Sequence, residues 1–288
     1  MSIPSLNGMT HPKPFVRQQS KTITVRKTAF TADNLQRQYT RSALISHFLN
    51  ALSATFPQGE QFFVDSVRNV RDQVINPELQ VDISAFIGQE AHHAQAHQQF
   101  NTNLYSLDYN LAKFDVAFAQ EMQRLRTLSK RRQLAATVAL EHFTAMIAGY
   151  MLKNPKLLQD LPTNMLNLWV WHAIEEIEHK HVAFDVYQQV FNNLAQRRRS
   201  MRTISIGFVT STAVMTTHLL WQDRQHSLFN IRQLARNIKD SMVLLHMMIS
   251  LLPEYLAFYK VDFHPLQIDQ SELLIKGKLQ LASAQMAV

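Results

Sequence analysis

Apolar positions recur every three or four residues along most of the chain, the period of a helix that buries one face. The pattern predicts a helix from Asp33 to about Phe56, halted by Pro57 and Gly59 and resuming to Val74. Pro77 suits the first turn of the next helix, where a missing N–H is no loss, and the pattern continues to about Leu104. A shorter helix covers roughly 112–127, and Ser129 is placed to cap another that runs to about Leu152. Pro155 and Pro162 bracket a loop, after which one helix extends from Pro162 to near Asn193. No stretch shows the alternation of a half-buried strand, so the expected class is all-α.

The two ends differ from this middle. Residues 1–32 are rich in Pro, Ser, Thr and basic side chains without helical period, and read as an extended N-terminal arm. Residues 33–195 carry the bundle pattern. Residues 196–288 hold two strongly apolar segments, 203–221 and 242–259, then a polar tail, and are expected to pack on the bundle. Both segments are about as long as a bilayer crossing requires. The first contains seven Ser or Thr and the second contains Pro253 and Glu254. That content favours helices that cover the bundle, or lie against one leaflet, over true spanning.

Composition changes this picture in three ways. Only 6 Gly and 9 Pro in 288 residues fit long helices with short turns. The absence of Cys leaves His and carboxylates as the only strong metal ligands. The formal charge of +7 is concentrated in the N-terminal arm, in SKRR at 129–132 and in QRRRSMR at 196–202. No aromatic-interleaved basic stripe or docking motif accompanies it, so no nucleic-acid partner is expected. The basic runs read as solvated turns and a membrane-facing rim, with Arg197, Arg198, Arg199 and Arg202 beside the first apolar segment. Residues 1–30 are polar, so the expected location is cytoplasmic, at most associated with the inner face of the membrane.

The densest chemistry lies in WHAIEEIEHKH, residues 171–181. With about 100° per residue, Glu176 falls about 40° from His172 and His179 about 20° to the other side. Glu175 stands at the edge of that face, while Glu178 and His181 point away. The shared face is HxxxExxH. A second helix repeats the theme in GQEAHHAQAH: Glu90 and His93 form ExxH, with His97 one turn further. Glu60 and Glu141 sit singly among apolar residues on two other helices, where an unpaired carboxylate is costly. The order Glu, ExxH, Glu, ExxH is that of ferritin-like di-iron carboxylate bundles. Two divalent ions side by side need bridging carboxylates to offset their charge and imidazoles to fix their geometry.

The stretches FPQGEQFF, GQEAHHAQAH and WHAIEEIEHKHVAFDVY resemble a bacterial family labelled "predicted metal-dependent hydrolase", over roughly residues 35–265. The extra His one turn before the last ExxH is also similar in spacing to para-aminobenzoate N-oxygenases. Carried over motif by motif, that likeness implies Glu60, Glu90, His93, Glu141, His172, Glu176 and His179 as metal ligands. His97 and Glu175 are expected to orient ligands rather than bind metal.

The resulting expectation is a ferritin-like four-helix bundle with added C-terminal apolar helices, holding two iron ions, with manganese or zinc as substitutes. Its leading function is activation of dioxygen to oxidise an apolar small molecule. The alternatives are a metal-dependent hydrolase that activates water, and a non-catalytic metal-binding or membrane-associated protein. Four Glu and three His, with no Asp, favour redox iron. Expected partners are the apolar substrate and dioxygen, with a homodimer left open. By helical count, Phe86, Ala94, Ala145 and Ala183 lie near the ligand faces and are expected to line an apolar cavity.

Overall fold

The computed structural model describes residues 23–27, 36–158 and 160–285, and every regular element among them is helical. Four helices form the central layer: α1 (Ala43–Arg68), α2 (Pro77–Ser106), α4 (Lys130–Lys153) and α5 (Thr163–His179). α1 pairs with α2 and α4 with α5, and the two pairs meet through α1 against α4 and α2 against α5. The crossing between the pairs carries α3 (Ala112–Arg126). α6 (Val182–Val190) continues beyond α5, and α7 (Leu194–Gln222), the short α8 (Arg224–Ser227) and α9 (Ile231–Ala257) fold back over α1 and α4.

Two apolar clusters fill the layer, one towards each end. One contains Leu49, Leu52, Phe100, Leu104 and Trp169; the other contains Phe62, Ile83, Phe86, Leu134 and Val138. Fully burying each such side chain contributes on the order of 1.5–3 kcal/mol. The ionisable residues of α1, α2, α4 and α5 lie between these clusters along the helices.

Several boundaries differ from the periodic reading. α1 begins at Ala43, with the Ser42 hydroxyl accepting from the Ile45 N–H, and continues unbroken through Pro57. A proline leaves the carbonyl four residues earlier without its helical donor. Here that carbonyl belongs to Ser53, and Asn101 Nδ2 of α2 donates to it at 2.9 Å. The helix survives because a neighbour replaces the lost bond. Asn76 caps α2 ahead of Pro77 as the pattern implied, but Ser129 occupies the cap position of α4 without a side-chain hydrogen bond.

The single helix expected from Pro162 to Asn193 is divided by a turn at Lys180 and His181. Lys180 is buried, and its ammonium donates to the Ile268 carbonyl and to Gln270 Oε1, both at 2.7 Å. A local turn that preserves the apolar period leaves no trace in a periodicity count. The polar tail is itself a helix, α10 (Ser271–Gln285), packed on α5. The close approach uses Gly277, where an added Cβ would stand 3.0 Å from Ile174.

Most of the N-terminal arm, residues 1–22 and 28–35, lies outside the described residues. Residues 23–27 are extended and cross α2 at Gly88, where an added Cβ would meet Val25 at 3.1 Å. The basic rim is corrected at Arg197. This residue is 1% exposed, and its guanidinium lies over Phe184 and Phe258 and donates to the carbonyls of Phe258 and Lys260. Arg198 donates to the Tyr259 carbonyl, which leaves Arg199 and Arg202 as the exposed members of the run. Five donors on a rigid fork can satisfy carbonyls where α9 ends, a use that charge counting does not register.

Among the described residues, α4 and α7 are long and apolar enough to cross a membrane. The apolar window of α4 is 89% buried inside the protein, whereas that of α7 is only 22% buried. The second apolar segment falls on α9 up to Ala257 and overruns its end by two residues, and α9 exposes Ile238, Met242, Met248 and Ile249.

Candidate metal centre

Glu60 projects from α1, Glu90 and His93 from α2, Glu141 from α4, and His172, Glu176 and His179 from α5. All seven side chains are buried. Three groups have donor atoms within 4.8 Å of one another: Glu60, His93 and His172; Glu90, Glu141 and His179; and Glu90, His93 and Glu176. Together these groups contain all seven residues singled out from the sequence.

His179 Nε2 lies 3.0 Å from Glu90, 3.3 Å from Glu141 and 3.6 Å from Glu176. His172 Nε2 is 3.3 Å from Glu176, and His93 Nδ1 is 3.6 Å from the same carboxylate. Yet neither oxygen of Glu60, Glu90 or Glu141 makes a hydrogen bond among the described residues, and His179 Nε2 makes none either. Buried carboxylates left in this state are costly. Burial, then the neighbouring Glu90, holds the Glu60 carboxyl well above the usual range, and burial pushes Glu141 up to about 8. Glu176 goes the other way: burial opposes its charge, but the surrounding His179, His172 and His93 hold it well below. Divalent cations would replace protons as the charges that offset this cluster. The donor set fits them.

Each imidazole has one nitrogen turned to the cluster and the other held from outside. His179 Nδ1–H donates to Gln89 Oε1 at 3.0 Å, and Gln89 Nε2 donates to the Thr24 carbonyl. This fixes Nδ1 as the outward donor and turns Nε2 to the cluster, where burial opposes a charge but Glu176 and Glu141 hold the imidazole well above its usual pKa until a cation replaces the proton. His93 Nε2 faces Glu175 at 3.2 Å. Glu175 in turn accepts from the backbone N–H of Arg26 and from its guanidinium, which also grips Glu178. Burial alone would lower His93, but Glu175 and Glu176 raise it to about 10.

The third anchor is a relay. Asn101 Nδ2 is committed to the Ser53 carbonyl, so its Oδ1 must accept, and the Ser53 hydroxyl donates to it at 2.8 Å. Ser53 Oγ therefore accepts from His97 Nδ1–H at 2.8 Å. His97 Nε2 is then an acceptor, and His172 Nδ1–H donates to it at 3.0 Å. His172 Nε2 is left bare and aimed at the cluster. Burial, then His172 and His93, holds His97 well below its usual pKa, consistent with this neutral role. The polarity of the whole chain traces to Pro57, whose missing N–H makes the Ser53 carbonyl available to Asn101.

His97 and Glu175 thus orient ligand candidates. His181, which the helical count set aside, pairs with Asp82 at 3.4 Å, and His142 faces the Glu254 carbonyl at 3.1 Å. The residues that sequence reasoning missed are Arg26, Ser53, Gln89 and Asn101. A Ser four residues before an intrahelical Pro was the one available signal. Arg26 gave none, being one basic residue among many.

The family profile described as "Predicted metal-dependent hydrolase" matches residues 24–269. The chain belongs to this family. Searches of curated proteins and of solved structures find no match. The matched span begins at Thr24, so it includes the Arg26 clamp as well as all seven clustered residues, and it ends before α10. Membership and the buried His/Glu groups together support a metal-dependent protein. The family description favours the hydrolytic alternative over oxidation.

Proposed function

We propose that the seven residues hold two divalent metal ions in a ferritin-like site, iron first among the candidates, and that the protein oxidises a small apolar molecule with dioxygen. The observation that carries this reading is the donor set: four Glu and three His buried on four helices, with both oxygens of Glu60, Glu90 and Glu141 making no hydrogen bond among the described residues. Four carboxylates offset the charge of two divalent ions, and hard oxygen donors suit an ion that changes oxidation state. Iron there would supply electrons to dioxygen, whereas zinc or manganese would act as Lewis acids on water. The chain's own contribution is positional. Gln89, Glu175 and His97 fix three imidazoles, and Phe56 and Phe86 screen His172 and His179 from water.

Hydrolysis is the second reading, and the family description favours it. The two separate in one experiment: metal analysis of protein from iron-supplemented cells, then oxygen uptake by the reduced protein. We expect two irons per chain and uptake in proportion to iron. Anaerobic cleavage of an ester or phosphate by zinc- or manganese-loaded protein, with iron protein inert in air, would select hydrolysis.

We also propose that the outer face of α7 and α9 rests on an anionic membrane surface. The hydroxyls of the exposed Thr210 and Thr217 donate to carbonyls of their own helix, so neither needs an acceptor outside it. At the α7–α9 end, Trp221, Phe229 and Ile231 are exposed beside Arg232, Arg236 and Lys239, the mixture that suits an interface. Co-sedimentation with anionic vesicles that weakens at high salt supports this placement. Salt-independent self-association without vesicle binding would assign the face to a second copy instead.

A further inference from the structure

A cavity of about 440 Å³ lies between α1, α3, α4 and α7. Its lining on α4 steps from Arg132 through Ala136 and Leu140 to Thr144, a length of about 18 Å at the helical rise. The wall is apolar, with Phe118, Met122, Ile204 and Phe208. None of Phe86, Ala94, Ala145 or Ala183 lines it, because it opens towards α3 and α7, elements the ligand-face count does not include.

The two ends of the cavity differ in kind. The inner end includes Glu60, which is 2% exposed, and Phe56, whose ring stacks on His172 with centroids 4.7 Å apart. The outer end includes the exposed Arg132 and Arg199. Among the described residues neither guanidinium has a carboxylate partner. The third arginine there, Arg124, is occupied by Glu121, and the remaining carboxylate, Asp115, accepts from the Tyr105 hydroxyl. The cavity is thus a long apolar slot with two uncommitted cations at its mouth and the metal centre at its end.

We propose that this cavity binds a single-chain fatty carboxylate, with the head at Arg132 and Arg199 and the chain directed at Glu60. The inference builds on the dinuclear reading, which makes the inner end of the chain the point of oxidation. Arginine pairs with a carboxylate through parallel N–H donors, and the apolar walls bury the chain without asking for further hydrogen bonds. Gly207 lines the cavity and has open space where a Cβ would stand, so a larger side chain there would project into the slot without displacing neighbours.

The test measures binding of dodecanoate and of dodecanol, below micelle-forming concentrations, to full-length protein in metal-loaded and chelator-stripped forms. We expect dodecanoate to bind both forms and to bind more tightly than dodecanol. The double variant Arg132→Gln, Arg199→Gln should lose ten-fold or more in dodecanoate affinity while its affinity for dodecanol is unchanged. Gly207→Phe should weaken both ligands and leave the helical circular dichroism intact. Equal affinity for acid and alcohol would overturn the proposal. So would a carboxylate preference that disappears with the metal and ignores the arginines, since the head would then sit at the centre. Because binding is read in stripped protein, failure of the dioxygen reading would show separately, as metal-loaded protein that does not take up oxygen.

Discussion

The interior of the α1–α2–α4–α5 layer and the outer face of α7 and α9 reverse the usual distribution of polarity in opposite directions. In the first, the carboxylates of Glu60, Glu90, Glu141, Glu175 and Glu176 and the imidazoles of His93, His97, His172 and His179 are buried between apolar clusters. In the second, Ile206, Val209, Val214, Leu245, Met248 and Leu252 face outward. α9 is inverted over its first turns: Asn237 and Asp240 are turned inward, where they hold the Leu44 N–H and Arg41, while Ile238 and Met242 are exposed. A buried charge and an exposed apolar face are the departures that carry information, since each costs stability that ordinary patterning would keep. The interior case is organised atom by atom, with hydrogen bonds that fix His172 and His179 and an ion-pair contact from Glu175 to His93. The outer face has no such direction: its exposed side chains are apolar and offer area rather than bonds.

The largest expected effect falls on the interior. Glu141→Ala should strip the metal while the helices persist by circular dichroism, and His181→Ala should leave metal content unchanged. Metal retention by Glu141→Ala would remove Glu141 from the centre. The same position tests the cost of the site. In stripped protein, Glu141→Leu should raise the melting temperature, because it replaces a buried carboxyl that burial pushes up to about 8, and that makes no hydrogen bond among the described residues, by an apolar group of similar volume. In loaded protein it should lower it.

Next in size are the groups that aim the imidazoles. Glu175→Gln or Arg26→Ala should weaken metal affinity by about 10–100-fold with little change in fold, as measured by chelator competition. An effect under two-fold would mean that His93 holds its orientation without them.

The Pro57 relay should show as a coupling. Asn101→Ala leaves the Ser53 carbonyl without a donor and should cost about 1–3 kcal/mol in denaturant unfolding. Pro57→Ala restores a backbone N–H to that carbonyl, so the double variant should be less destabilised than Asn101→Ala alone. Strict additivity would show that Asn101 acts elsewhere. The smallest effect on stability belongs to the outer face. Leu245→Lys with Met248→Lys should change unfolding by less than about 0.5 kcal/mol per site, yet reduce vesicle binding several-fold. A large loss of stability would instead show that this face is covered within the molecule.

The ligand candidates were legible because an α-helix converts spacing into direction. Positions three and four apart share a face, so Glu90 with His93, and His172 with Glu176 and His179, could be grouped before any contact was known. The isolated Glu60 and Glu141 stood out because a carboxylate in an apolar run needs a partner. The same reasoning failed where an element depends on something far away in sequence. α1 passes through Pro57 only because Asn101 supplies the missing donor, and the tail becomes α10 only because α5 offers it a surface.

The sequence by itself therefore determined the helical class and which residue types share each helical face, since both are local consequences of period and sterics. Tertiary structure alone decided that the four faces converge, which nitrogen of each imidazole faces the cluster, and which arginines remain uncommitted. Those properties depend on partners between 44 and 149 residues apart in the chain, as in Ser53 with His97 and Arg26 with Glu175. A hydrogen bond is set by a distance of a few tenths of an ångström and by direction, and no local pattern encodes either across such separations.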